Sequence, residues 1–450
     1  MIRGYPGRPS VAPGSQLTLH VSTDAARFRV AFHRWADGFV PMAVSGPLRG
    51  VLAPKGRPEA DWRWPEYHFD VPPDWPSGVY IAHLQAEPDP EPLAIAMTSA
   101  AALFVVRGTG LSALLYKLPI ATYQAYNCTG GGCFYHQPPR SLDPPGARLS
   151  WRRPGGGIGG HTFGAPDHYD DSSPRQTFAH WDARFIRWMA QHGIEAEFCT
   201  DLDVHQDPAL LERHRLLLSV GHDEYWSEPM RDAVERHVAH GGNVAFFGAN
   251  LCWWRIHLVD GDSAMVCHQG GPRGPQDHWW SLVGAQRPED SLTGVSYRHG
   301  GGWWDGPRRT QGFIVQQPDH WVFAGTGLRQ GDRFGADSQP PLVGYECDGA
   351  PLVPAGPGRF ALSPEATACG TPPTFQPLAV GPLDLDWQEL PYREQHGDRA
   401  GIHSATLGVH ERGGTVFTAG TTDWAQVLVN GSDPHVERIT RNVLRGLSEF

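Results

Sequence analysis

The stretch Leu216-Leu217-Leu218-Ser219-Val220-Gly221-His222-Asp223-Glu224-Tyr225-Trp226 decides how this chain reads. Its apolar start is a short buried strand bounded by a turn. The strand delivers a histidine, two carboxylates and a phenol into that turn. A helix start follows at once, with Ser227 as N-cap and Pro229 in the first turn. The same pattern continues on both sides. Ile194 to Thr200 reads as a strand, Asp207 to His214 as a short helix, Glu228 to His240 as a helix, and Asn243 to Gly248 as a strand. Strands separated by helical patterns predict a parallel sheet with crossover helices. Ligands in such α/β sheets bind beyond the carboxyl ends of the strands, where these ionisable groups fall.

Further out, the organisation changes. Residues 1–110 carry short alternating runs, such as Leu17-Thr18-Leu19-His20-Val21 and Phe28-Arg29-Val30-Ala31-Phe32, punctuated by Pro, Gly and Asp. That spacing predicts an immunoglobulin-like β-sandwich. Residues 111–450 read as the α/β domain, with a loop-rich β insertion at about 255–345. The glycine- and proline-rich excursion from Gly130 to Pro174 is too long for an ordinary connection and reads as a functional loop or lid. Thr177 to His192 reads as a helix. Phe178, Trp181, Phe185, Trp188 and Met189 fall on one of its faces, as a core stripe does.

Composition narrows the function classes. The chain has 450 residues, 40% of them hydrophobic and 19% charged, as expected of an ordered protein. A net charge of −11 disfavours nucleic acid or an anionic membrane as partner. No apolar run reaches the ~20 residues of a membrane span. Met1 to Gly7 lacks the apolar core of a signal peptide, so a cytoplasmic location is expected. The 7 cysteines are dispersed and odd in number. Cys128 and Cys133 flank a glycine loop without a second ligand pair for zinc, and read as free thiols.

The chemistry follows from the turn. It has no Ser or Cys at its apex, which disfavours a Ser/His/Asp hydrolase. A metal site fits better. His222 and Glu224 lie two residues apart across the turn, and Asn250 arrives at the end of the next strand. Carboxylate and phenolate oxygens are hard donors suited to Fe(III). A histidine beside a metal-bound water moves protons, and an asparagine amide holds a polarised carbonyl.

Several stretches resemble the C-terminal region of the large subunit of N,N-dimethylformamidase and its relatives. They are Thr122-Tyr123-Gln124-Ala125-Tyr126-Asn127, Ser219 to Trp226, Phe246-Phe247-Gly248-Ala249-Asn250, Phe323 to Leu328, Leu342-Val343-Gly344-Tyr345-Glu346 and Arg438 to Leu444. The resemblance runs from about Trp75 to the C-terminus. It implies an amidotransferase-like, flavodoxin-like parallel-sheet domain beside β-rich domains. It also implies hydrolysis of small N-substituted formamides at a mononuclear iron, Fe(III), held by two tyrosines and a glutamate. Carried onto this sequence, the metal ligands are Glu224, Tyr126 and, as best match for the second tyrosine, Tyr80. Tyr123 and Tyr169 are the competing positions. His222 is then the proton carrier and Asn250 the oxyanion group. Asp223 stands where the family's characterised enzyme has proline, and reads as turn chemistry. Tyr225 and Trp226 read as packing of the helix start.

The expected activity is iron-dependent hydrolysis of a small N-substituted amide. Two other readings stay open: a non-catalytic carbohydrate- or partner-binding protein, and a metal-dependent hydrolase tailoring a larger secondary metabolite. A homo-oligomer and a small partner subunit are both left open as assemblies.

Overall fold

The computed structural model describes residues 1–96, 98–136, 140–142, 146–164, 167–270, 276–390 and 401–449. Two sheets build the N-terminal part. One joins Ile2–Pro6, Gln16–Thr23 and Glu66–Asp70. The other runs Ser10–Val11, Ala101–Val106, Gly78–Ala86, Arg27–Trp35, Phe39–Val44, with Leu48–Arg49 pairing at one side. Side chains alternate across a strand, and here the alternation divides two cores. Tyr80, Ala82 and Leu84 of Gly78–Ala86 pack with Leu17, Leu19 and Val21 between the sheets. Val79 and Ile81 point the other way, into the core shared with Leu114, Tyr116 and Leu118. A strand buried on both faces explains why Gly78 to Leu84 has no exposed position.

The largest sheet has nine strands in the order Glu197–Thr200, Leu114–Leu118, Leu216–His222, Asn243–Ala249, Gly414–Thr418, Ser404–Arg412, Gln376–Pro382, Phe313–Val315, Arg333–Phe334. Its first five strands are parallel, as the alternation predicts. The remaining four pair antiparallel, so the sheet is mixed. That half escapes a helix-and-strand reading because antiparallel strands need no crossover helix, so no helix-and-strand alternation marks them. The two pairing strands Ser404–Arg412 and Gly414–Thr418 are linked through Gly413, which takes a positive φ of 95°.

Register sets up the site. Gly221 pairs with Gly248 and His222 with Ala249, so both strands end at one level and Asn250 follows immediately. Gly221 has φ of 72°, and a Cβ there would lie 2.6 Å from that of Trp181. Only glycine lets the strand turn this close to that indole. The helix predicted from Thr177 begins later, at Asp182–Gln191. Its first expected turn is irregular, and Gln176, just before it, takes φ of 62° and sets its side chain against His222. The aromatic stripe is core as expected, with Phe178, Trp181, Phe185, Trp188 and Met189 all buried.

One buried histidine gives the fold a measurable acid sensitivity. His237, on helix Glu228–Ala239, is pressed against Gly242, and burial pushes its pKa down to about 4. The unfolded ring titrates near ~6.5. Stability from the neutral ring is therefore full above that value and drains as pH falls toward 4. The expected loss is about 3 kcal/mol from this residue. Urea melts of wild type and His237→Gln across pH 7 to 4 check it. A wild type and variant with the same pH slope would contradict the assignment.

Candidate metal centre and cavity

Glu224 is seated by backbone contacts before its side chain does anything. Its N–H donates to Thr122 Oγ1 at 3.0 Å, and its carbonyl accepts from Trp254 N at 3.0 Å. Thr122 lies on helix Ile120–Tyr126, which follows strand Leu114–Leu118 and is buried along its whole length. The helix thus brings Tyr126 to the carboxylate. Tyr126 Oη donates to Glu224 Oε2 at 2.9 Å. Tyr135 Oη donates to Glu224 Oε1 at 2.6 Å. The two phenol rings stack with centroids 4.4 Å apart. Tyr225 supports the second phenol, donating to Tyr135 Oη at 2.6 Å while accepting from Gln269 Nε2 at 2.8 Å.

A charged pair stands beside this group. His222 Nε2 is 2.9 Å from Glu346 Oε2 and 3.5 Å from Glu224 Oε2. Its Nδ1 lies 2.5 Å from Gln176 Oε1, which fixes the ring's orientation. Asn250 Nδ2 donates to Glu346 Oε2 at 3.3 Å, and the Asn250 backbone N–H donates to Asp348 at 2.8 Å. Asn250 adopts φ of 49°, a left-handed conformation that asparagine tolerates. Its Oδ1 is buried without a hydrogen-bond partner among the described residues.

The electrostatics follow from burial. Desolvation raises Glu224 to about 7, with His222 pulling against the rise and the Glu346 charge adding to it. His222 is moved upward: burial favours the neutral ring, but the Glu346 carboxylate and then Glu224 outweigh it. Burial works against ionised Glu346 too, yet the His222 charge holds it below the usual range. Tyr126 and Tyr135 are pushed well above the ordinary phenol value by burial and then by Glu224. All of this opens on a cavity of about 540 Å³ that Tyr126, Tyr135, Glu224, Asn250 and Glu346 line on one part of its wall.

This donor set fits a hard cation. Two phenol oxygens contact the two oxygens of one buried carboxylate, at the wall of a cavity. A trivalent cation replacing the two phenol protons would find three anionic oxygen donors, and its charge would reverse the upward shifts just described. A separate group, His257, His268 and Asp277, has metal-ligand spacing, but Arg255 also occupies the Asp277 carboxylate.

A model of the family described as N,N-dimethylformamidase beta subunit-like, C-terminal, matches residues 28–436. The chain belongs to that family. Two relatives named N,N-dimethylformamidase beta subunit, from Alcaligenes sp and Paracoccus aminophilus, are each 25% identical to it, over 303 and 295 residues. Each alignment takes in 58% of this chain and 36% of the relative, so the match spans about a third of those proteins' length.

In this dimethylformamidase beta subunit-like chain, the structure brings Glu224, Tyr126, His222 and Asn250 together. It does not bring Tyr80. The Tyr80 hydroxyl donates to Pro76 O at 2.7 Å, and its ring stacks on Trp75 in the sandwich core. The cause is strand parity: Tyr80 faces inward between the N-terminal sheets, while Val79 and Ile81 face the α/β core. The competing tyrosines are engaged elsewhere. Tyr123 donates to Asp182, and Tyr169 accepts from the Arg308 backbone N–H at 2.7 Å. The second phenol at Glu224 is Tyr135, carried by the long excursion read as a functional loop. Parts of that loop, residues 137–139, 143–145 and 165–166, lie outside the described residues. The signal for Tyr135 was present in sequence: a tyrosine closing the glycine run just behind Tyr126. Glu346 closes the stretch Leu342-Val343-Gly344-Tyr345-Glu346, yet no spacing rule ties it to His222, from which it is far removed in sequence.

Asp223 is more than a turn residue. Its carboxylate lies 2.7 Å from Lys117 Nζ, which is also 2.7 Å from Asp201, and all three side chains are buried. Ser219 Oγ and Trp226 Nε1 donate to the same carboxylate.

Proposed function

We propose that this chain hydrolyses the carbon–nitrogen bond of an N-substituted amide at a mononuclear iron held by Tyr126, Tyr135 and Glu224. The single observation that carries the reading is the pair of phenols on one buried carboxylate at a cavity wall. Bound there, Fe(III) supplies Lewis acidity toward a carbonyl oxygen and acidifies a water. The chain's own residues do the rest. Asn250 Nδ2 has a second N–H beyond the one given to Glu346, and that N–H orients the carbonyl oxygen of the substrate. Glu346, at the cavity wall, keeps a proton available at His222 Nε2, and Gln176 holds the ring in place from its other nitrogen. That proton reaches the departing nitrogen through the Glu346 carboxylate, which lines the cavity where His222 does not. Water adds to the carbonyl carbon, the carbon–nitrogen bond breaks, and a carboxylate and an amine are released.

The relatives' name, beta subunit, supports a second kind of chain as partner for this one. Among the described residues no helix is long and apolar enough to cross a membrane.

The test compares wild type, Tyr135→Phe and Tyr80→Phe for iron content, visible absorption and release of amine from N,N-dimethylformamide. Wild type is expected to carry iron and a tyrosinate-to-iron charge-transfer band. Tyr135→Phe should lower iron affinity by roughly 100-fold or more and shift or abolish the band, since even outer-shell changes cost about 10–100-fold. Tyr80→Phe should keep iron and colour, losing about 1 kcal/mol of stability with its hydrogen bond to Pro76. An iron-free, colourless wild type that remains active would overturn the proposal.

A further inference from the structure

The reacting groups use only part of the cavity wall. The rest is mostly aromatic, with Gly164 and Glu389 the exceptions, and it starts at the proposed ligands. Phe163 N–H donates to the Tyr126 carbonyl at 2.8 Å, and the Phe163 ring lies nearly parallel to Tyr135, centroids 6.2 Å apart. With the Tyr126–Tyr135 stack this makes one aromatic bank. Trp254, tethered through its N–H to the Glu224 carbonyl, stacks on His278 at 4.0 Å. Trp253 meets His278 and Tyr297 edge-on at 4.8 and 5.5 Å. That makes a second bank, and both line the same cavity.

Two features bear on what fits between them. A volume of about 540 Å³ lies in the range of pockets that enclose drug-sized ligands, far above what N,N-dimethylformamide fills. His278 is also buried with its Nδ1 lacking a hydrogen-bond partner among the described residues. Burial pushes its pKa down to about 4, so at neutral pH the ring is an uncharged aromatic surface with a polar atom to spare.

We propose that the substrate is an amide bearing a flat aromatic group directly on its nitrogen or one methylene away, stacked in this cavity, with His278 Nδ1 meeting a polar substituent on the ring. The short reach follows from the tethers: each bank begins one backbone hydrogen bond from Tyr126 or Glu224. This inference rests on the amidohydrolase reading and deepens it.

The test measures kcat/KM for N,N-dimethylformamide, N-benzyl-N-methylformamide and N-(cyclohexylmethyl)-N-methylformamide, three alkyl formamides of similar intrinsic reactivity. Burying the ring is expected to raise kcat/KM for the benzyl compound about 10- to 100-fold over N,N-dimethylformamide. Aromatic contact should favour benzyl over its cyclohexyl counterpart by about 3- to 10-fold. Phe163→Leu, at a partly exposed position, and Trp253→Leu should each shrink that second ratio. Calorimetry of the benzyl compound with the Glu224→Gln protein reads binding without turnover. Hydrolysis of N,N-dimethylformamide with no gain for the benzyl compound overturns this inference and leaves the amidohydrolase reading standing. Tight, aromatic-selective binding without hydrolysis of any of the three does the reverse. A benzyl-to-cyclohexyl ratio unchanged in both variants also overturns it.

Discussion

Glu224→Gln is expected to lower amide hydrolysis on the order of 10³-fold or more while leaving the fold as stable as wild type, or more so. The activity loss follows from the hydrogen-bond pattern. Each carboxylate oxygen accepts from one phenol. A glutamine of the same size replaces one acceptor by an NH₂ group, so one hydroxyl faces a donor and the anionic charge needed by a cation is gone. Losing a Lewis acid worth several kcal/mol corresponds to that scale of rate. Stability moves the other way for a separate reason. Burial raises Glu224 to about 7, so in the metal-free fold the ionised form is disfavoured relative to the unfolded chain. A carboxyl raised in this way costs stability as pH climbs past its unfolded value near ~4.3, and glutamine removes that cost. Rates of amine release together with melting of chelator-treated protein separate the two effects. A variant retaining activity within tenfold of wild type would sink the ligand assignment.

Lys117→Met carries the largest expected stability effect, a loss of about 3–5 kcal/mol. Lys117 Nζ stands between Asp201 and Asp223 at 2.7 Å from each, over the Trp226 ring. Burial opposes the ammonium charge, but the two carboxylates prevail and hold its pKa above the usual lysine range. Methionine keeps much of the volume and strands two buried carboxylates against each other. Because Asp223 lies between His222 and Glu224, the same change should loosen the turn and reduce turnover along with stability. Urea denaturation at neutral pH measures it. A cost below about 1 kcal/mol would mean that the aspartates find other compensation.

Legibility from sequence followed the range of the interactions. The strands around Leu216 were plain because each carries its own pattern of apolar residues and turn signals. His222, Glu224 and Asn250 were legible for the same reason: each sits at the end of a recognisable strand. Tyr126 came from a resemblance, and the structure seats it through Thr122, four residues earlier on one helix. Tyr80 shows where resemblance runs out. A motif match places a residue near a site, but in a strand buried on both faces the neighbouring position points to the opposite core. Tyr135, Gln176 and Glu346 were missed because no local pattern ties them to Glu224 or His222. Tyr135 sits in a loop with no periodicity. Gln176 matters through a positive φ that no side-chain pattern announces. Glu346 meets His222 only because the antiparallel half of the sheet and its connections fold back over the parallel strand ends.

The wall of the cavity is assembled from segments around Tyr126, Glu224, Asn250, Tyr297 and Glu346, in that order along the chain. During synthesis at ~5–20 residues per second, the interval between the emergence of Tyr126 and that of Glu346 is on the order of 10 to 40 seconds. Glu224 follows Tyr126 a little before the middle of that interval, on the order of 5 to 20 seconds in, and the histidine–glutamate pair is complete only at its end. The centre is therefore a late product of translation. A ribosome stalled between Asn250 and Tyr345 would hold a chain in which strands Leu216–His222 and Asn243–Ala249 are made but the histidine still lacks Glu346 as its counter-charge.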